Sequence, residues 1–285
     1  MREHVGRILS ALVALPLLYG AVRFLPLPLF AVLVAAVVFL AQIEFYRMAL
    51  GRHDGSVARR ARYAVAGVGA AAGAGVVMIA SQPAWAAGLP LLATALVMAV
   101  GVTALGVGQD WRQASTDAAL AVFGVWYVAW LFAHLVSLRG LRGGEWLVFF
   151  VLWVTWIGDS AAYYVGRAIG KTPLAPRISP KKTVAGAVGG VAASAAAAVI
   201  AAAWFVDGFS WLEAVAVGIG GGLAGMAGDL VESVFKRGAG VKDSGGLVPS
   251  HGGLLDKIDG LLFTAPLFYY YLVWVKGYAA HGVAG

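Results

Sequence analysis

The sequence predicts an all-α, polytopic integral membrane protein with about nine transmembrane helices, and three observations carry that reading. Of the 285 residues, 61% are apolar and only 12% are charged. Several apolar runs approach the ~20 residues that a helix needs to cross a bilayer. Within those runs the apolar residues are continuous rather than alternating, which argues against a β-barrel. The formal net charge of +7 in such a chain reports cytoplasmic loops and anionic lipid headgroups, so no nucleic-acid partner is expected. With no cysteine in the chain, disulfides and thiolate metal sites are excluded.

Taken in order, the spans are expected near 8–23, 26–46, 62–80, 86–106, 117–137, 145–166, 184–205, 212–235 and 258–275. The N-terminal MREHVGR leads into no evident small-residue cleavage site, so the first run is read as a retained helix, short and open to a kink at Pro16. Pro26 and Pro28 make a tight turn into the second span. The pairs Gly186/Gly190, Gly218/Gly222 and Gly221/Gly225 are spaced for close helix contact. Phe268, Tyr269, Tyr270, Tyr271 and Trp274 are expected to form an interfacial belt. Residues 1–140 then supply about five N-terminal spans. Residues 141–285 form a catalytic membrane region with two polar loops, 167–183 and 236–257.

Orientation follows from the basic residues. With the N-terminus inside and nine spans, 17 of the 21 lysines and arginines fall on the cytoplasmic side. Only Arg23, Arg139, Arg142 and Lys276 fall on the other. The expected topology is N-in, C-out, with both polar loops cytoplasmic.

The chemistry gathers in two clusters. Asp229, Glu232, Ser233 and Lys236 lie at i, i+3, i+4 and i+7, so a helix places them on one face. A functional face is the favoured reading; the minor alternative is a set of local ion pairs such as Glu232–Lys236. Asp229 has no cation one turn away, and a lone intramembrane carboxylate costs roughly 2.5–3.5 kcal/mol on insertion scales, so it calls for a ligand. Asp256 and Asp259 repeat the i, i+3 spacing in the first turns of the last span, behind Gly252-Gly253. They are either solvated helix-start charges or, with Asp229, hard oxygen ligands for Mg²⁺. Two such ions about 3.5–4 Å apart would suit in-line displacement at phosphorus. Lys236, Arg237 and Lys242 are placed to grip phosphates, and His251 to donate to one or carry a proton. In the second cluster Asp159 and Tyr163 are one turn apart, followed by Arg167. Ser179, Lys181, Lys182 and Thr183 stand at the entry to a helix, which is either anion-binding chemistry or, for the lysines, a positive-inside juxtamembrane loop.

Together these stretches resemble the phosphatidate cytidylyltransferases, the CDP-diacylglycerol synthases. The signature S-x-x-K-R-x4-K-D-x5-P-x-H-G-G-x-x-D-R-x-D appears as Ser233, Lys236-Arg237, Lys242-Asp243, Pro249, His251-Gly252-Gly253, Asp256-Lys257 and Asp259, with Lys257 where arginine is usual. D-x-x-A-Y-x-x-G-R appears as Asp159, Ala162, Tyr163, Gly166 and Arg167. S-P-K-K-T-x-E-G appears from Ser179 to Gly186, with Ala185 in place of the glutamate.

The resemblance implies that CTP and phosphatidic acid give CDP-diacylglycerol and pyrophosphate for phospholipid synthesis. It implies Mg²⁺ between Asp229 and Asp256, allows a monovalent cation such as K⁺ nearby, and implies a homodimer. On this reading Asp229, Lys242, Asp243, His251, Asp256 and Asp259 are the candidate catalytic residues. Asp159, Tyr163, Arg167, Ser179, Lys181, Lys182, Thr183, Ser233, Lys236, Arg237 and Lys257 are the candidate substrate contacts. The expected location is the inner membrane of a bacterial cell, with the active site facing the cytoplasm. A CDP-alcohol phosphotransferase would need D-G-x-x-A-R followed by spaced aspartates, and a lipid kinase a Gly-rich G-K-[ST] loop. Neither pattern is present. A cation transporter would place its acids at mid-membrane on broken helices, whereas here they gather beside a basic loop.

Overall fold

The structure, a computed structural model, describes residues 14–50, 56–82, 85, 87–105, 111–246 and 252–278. These residues are almost entirely helical: α1 (Ala14–Phe24), α2 (Leu27–Ala49), α3 (Ser56–Ala80), α4 (Gly88–Leu105), α5 (Trp111–Gly124), α6 (Leu131–Arg139), α7 (Gly144–Ile169), α8 (Val184–Trp204), α9 (Trp211–Gly238) and α10 (Leu255–Tyr270). A π-helical stretch, Val125–Trp130, joins α5 to α6 into one rod, and another, Tyr271–Val275, extends α10. Eight of the described helical rods are long and apolar enough to cross a membrane. Each lies within a few residues of an expected span. The described part of the first expected span is only the short α1, and residues 8–13 lie outside the described residues.

Two compact units emerge. One comprises described residues of Met1–Val136 together with Gly238–Lys257; the other comprises Ser137–Arg237 and described residues of Ile258–Gly285.

In the first unit, Pro26 and Pro28 set the start of α2, where a missing N–H costs nothing. The apolar core of this unit, which includes Phe30, Val34, Val38 and Phe45, holds a polar rung on α2. The buried Tyr46 hydroxyl donates to the Ala121 carbonyl at 2.8 Å. Gln42 Nε2 donates to Tyr46 Oη at 3.2 Å and to the Gly69 and Gly124 carbonyls at 3.4 Å. A side chain at Gly69, Gly73 or Gly124 would collide with Tyr46 or Gln42. Interhelical hydrogen bonds of this kind contribute about 0.6–2 kcal/mol in a bilayer, where apolar burial gives helices little reason to associate.

In the second unit, α6 turns into α7 through Gly143, whose φ of 68° lies in the left-handed region that favours glycine. Arg139, one of the two cations that run against the orientation rule, pairs with Glu145 across this turn at 3.6 Å. All three expected glycine pairs mark close contacts. A Cβ on Gly186 or Gly190 would press into Ala162 of α7. Gly218 and Gly222 abut Ala195, Val191 and Ser194 of α8, while Gly221 and Gly225 face Phe268 and Thr264 of α10. Phe268 therefore leaves the expected aromatic belt. It is buried, edge-on to Phe150 at 5.2 Å, because the glycine surface of α9 opens a slot for its ring. Trp274 stays 75% exposed, as a belt residue should.

One element departs from an all-helical reading. Within loop 167–183, β1 (Pro173–Ala175) and β2 (Ser179–Thr183) pair antiparallel, with Pro173 opposite Thr183 and Ala175 opposite Ser179. The sequence carries too few residues here to show a strand period.

Candidate active site

A cavity of about 560 Å³ opens between the C-terminal half of α7, the N-terminal half of α8, the middle of α9 and the hairpin, all within the second unit. Its size falls in the usual range for small-molecule sites, about 300–1,000 Å³. Glycines pave much of the wall, so backbones approach closely and leave the space open. Its polar lining includes Asp159, Tyr163 and Arg167 from α7, Lys181, Lys182 and Thr183 from β2, and Asp229 from α9. Asp229 of the first sequence cluster thus shares one cavity with Asp159, Tyr163, Arg167, Lys181, Lys182 and Thr183 of the second.

Each side chain has a local reason for its position. Thr183 is the N-cap of α8: its hydroxyl accepts the Gly186 N–H at 3.1 Å while its backbone is still extended. The cap ends the hairpin and starts the helix, leaving Lys181 and Lys182 in the cavity wall beside the positive end of the helix dipole. Lys182 Nζ reaches Asp229 at 2.5 Å. The cation that Asp229 lacks on its own helix therefore arrives from the hairpin. On α7, Arg167 donates to the Tyr163 hydroxyl at 3.2 Å.

Below the hairpin lies an acidic centre. Ligand atoms of Asp229, Glu232 and Asp259 lie within 4.8 Å of one another. Glu232 is fully buried and forms a one-turn ion pair with Lys236, the alternative that the sequence had made the lesser one. Asp259 accepts the Gly260 N–H at 2.8 Å and is within electrostatic reach of Asp229, Asp159 and Lys236. Asp159 in turn interacts with Asp229 and Lys182. If all are ionised, four carboxylates here face two ammonium groups, an excess of two negative charges. Oxygen donors at that density suit a hard divalent cation.

The remaining candidates are distributed as follows. Ser233 is buried on α9. Arg237 donates from Nε to the Ile178 carbonyl at 3.0 Å, tying the end of α9 to the hairpin turn. Ser179 begins β2. In the first unit, Lys242, Asp243 and Lys257 are exposed. There Asp256 Oδ2 accepts the backbone N–H groups of Gly253 at 2.9 Å and Ser244 at 3.0 Å. His251 lies outside the described residues.

A buried acid, Glu44, escaped the sequence reading. Glu44, on α2, is 1% exposed, and its carboxylate accepts the Leu255 N–H at the start of α10. The signal was available, because a carboxylate inside an apolar span is rarely idle. It lies 200 residues from Ser244 and 211 from Leu255, outside the motif patterns.

Comparison with known proteins gives the following. The model of the cytidylyltransferase family matches residues 5–275. A phosphatidate cytidylyltransferase of Pseudomonas aeruginosa is 35% identical over 279 residues, covering 96% of this chain and 98% of that protein. A phosphatidate cytidylyltransferase of a Synechocystis strain is 46% identical over 119 residues, 41% of this chain and 40% of that one. The Escherichia coli protein YnbB, itself uncharacterized, is 40% identical over 153 residues, 54% of this chain and 50% of its own length. Against these last two, the match spans half of the relative or less.

Proposed function

Since the chain belongs to the cytidylyltransferase family, we propose that it transfers the cytidylyl group of CTP to phosphatidic acid. The products are CDP-diacylglycerol, for phospholipid synthesis, and pyrophosphate. A phosphate oxygen of phosphatidate attacks the α-phosphorus of CTP in line. The new P–O bond forms as the bond from the α-phosphorus to the α–β bridging oxygen breaks, and pyrophosphate leaves with that electron pair. The nucleophile is already an anion, so no strong base is required, and catalysis rests on positioning and charge neutralisation.

The observation that carries this reading is the cavity itself. It combines Arg167, Lys181, Lys182 and the capped start of α8 with the carboxylates of Asp159 and Asp229. The cations hold phosphate oxygens of the two substrates and offset the charge that accumulates on pyrophosphate. Asp229, with Glu232 and Asp259 beside it, suits Mg²⁺, which when bound supplies further neutralisation of the triphosphate; the signature adds Asp256 as a second ligand. Lys182 holds the Asp229 carboxylate in the cavity. Arg237 holds the hairpin that carries Lys181 and Lys182. The active site is assigned to the cytoplasmic face of a bacterial inner membrane, where CTP is present, and the working form to a homodimer.

The test is direct. Purified protein in lipid nanodiscs should release pyrophosphate only when CTP and phosphatidate are both present, with a stoichiometric lipid product carrying the cytidine label. Release without lipid, or label on a different lipid acceptor, would overturn the assignment.

A further inference from the structure

We propose that Glu44 is a positioning residue for this reaction: its carboxylate fixes both ends of the signature loop and, through them, the carboxylate of Asp256. This rests on the cytidylyl-transfer reading above.

The geometry is specific. Glu44 is 1% exposed, and a buried carboxylate is costly unless its hydrogen bonds are worth the desolvation. Its Oε2 accepts the Leu255 N–H at 2.9 Å and the Ser244 hydroxyl at 3.5 Å. Ser244 lies just after Lys242-Asp243, and Leu255 just before Asp256. One carboxylate on α2 therefore grips the loop where it leaves the first half of the signature and where it enters the second. Ser244 also links the two acids: its hydroxyl faces Glu44, while its backbone N–H donates to Asp256 Oδ2 at 3.0 Å. Gly253 supplies the other donor to Asp256, at 2.9 Å.

The glycines of the signature fit the same account. A Cβ on Gly245 would meet the Glu44 side chain, and one on Gly253 would lie 2.9 Å from Glu44 Oε2 and 2.8 Å from the Gly245 nitrogen. Gly245 and Gly253 can approach the carboxylate this closely only because both lack a side chain. Glu44 itself stands on a fixed helix turn, since Gln42 and Tyr46 bind α2 to carbonyls of α3 and α5. Supporting contacts of this kind hold reacting groups in register, and their loss typically costs about ten- to a hundredfold in activity or metal affinity.

The experiment uses the full chain in nanodiscs, with Glu44→Ala, Glu44→Gln and Ser244→Ala. The readouts are kcat, KM for CTP, the Mg²⁺ concentration for half-maximal rate, and amide hydrogen exchange. Glu44→Ala should lower kcat about ten- to a hundredfold and raise the Mg²⁺ requirement. Exchange should quicken over 244–256 while peptides from α7 to α9 stay unchanged. Glu44→Gln keeps an oxygen that accepts from Leu255 and Ser244, so it should stay within about threefold of wild type. Ser244→Ala removes the longer of the two contacts and should cost about three- to tenfold. Wild-type kinetics and exchange in Glu44→Ala would overturn the proposal. So would a Gln variant as impaired as Ala with undisturbed loop exchange, because charge and not positioning would then be what the reaction needs. Should Glu44→Ala fail to accumulate, the Gln and Ser244 variants decide by the same criteria. If wild-type protein makes no CDP-diacylglycerol, the cytidylyl-transfer reading falls, while loop exchange in the variants still reports whether Glu44 fixes the loop.

Discussion

At the scale of single residues, charge is balanced across elements rather than within them. Asp229 takes its cation from β2 and not from α9, which makes both partners sensitive to substitution. Asp229→Asn keeps size but removes the charge that suits a divalent ion. It should abolish most turnover, as should Asp256→Asn, and the double variant should be little worse than either, because residues acting as a unit are not additive. Mg²⁺-dependent product formation measures this, and near-normal rates in both single variants would place the metal elsewhere. Replacing Lys181 and Lys182 with alanine should raise KM for CTP or phosphatidate strongly while the protein still folds; unchanged kinetics would reduce them to orientation signals. The sequence showed these residues and the spacing of Glu232 to Lys236 because helical period is local. It did not show the Lys182–Asp229 pair, whose partners meet only once the hairpin has folded onto α9. Glu44 was visible only as a carboxylate inside an apolar span; its partners, the Leu255 amide and the Ser244 hydroxyl, lie too far along the chain to be read.

At the scale of elements, two devices shape the cavity: the Thr183 cap and the glycine seams. Thr183→Ala removes the acceptor for Gly186 N–H and should cost about 1 kcal/mol, typical of a lost N-cap. Thr183→Ser should restore it, as read by thermal unfolding in detergent. Gly222→Leu is the stronger perturbation. A Cβ there already lies 3.0 Å from Val191 Cα and from Ser194, so a bulky side chain must part α8 from α9. Over-packing of this kind costs about 1–3 kcal/mol, and activity should fall with stability because both helices line the cavity. Stability and rate equal to wild type would show that the seam is looser than it looks. The spans were legible within a few residues, because continuous apolar runs and flanking charges mark them. The hairpin was not, since five residues containing a proline and two lysines carry no strand period. Phe268 was misplaced because an aromatic run at a span end looks interfacial until the glycines facing it are seen.

At the scale of the whole molecule, the outstanding issue is sidedness, and counting crossings makes it testable independently of the first helix. Between the basic stretch 51–61 and loop 167–183 lie four candidate spans: Tyr63–Ala80 of α3, α4, the α5–α6 rod and α7. Two more, α8 and α9, lead to loop 236–257. If each crosses, the even number puts all three basic stretches on one side, and the positive-inside rule predicts that side to be cytoplasmic. Crossing by α10, the seventh, would then put the C-terminus opposite. Only the N-terminus depends on whether the helix containing Ala14–Phe24 spans the membrane. Because the natural chain has no cysteine, single cysteines can be labelled without background. In intact cells, a membrane-impermeant maleimide should modify Ala284→Cys but not His53→Cys or Arg177→Cys until the membrane is opened. Protection of Glu3→Cys under the same conditions would mean that the first helix crosses, giving nine spans; labelling would mean eight. Labelling of Arg177→Cys in sealed cells would put the lysines of the hairpin on the face opposite the CTP pool, and the proposed reaction could not then proceed at this cavity.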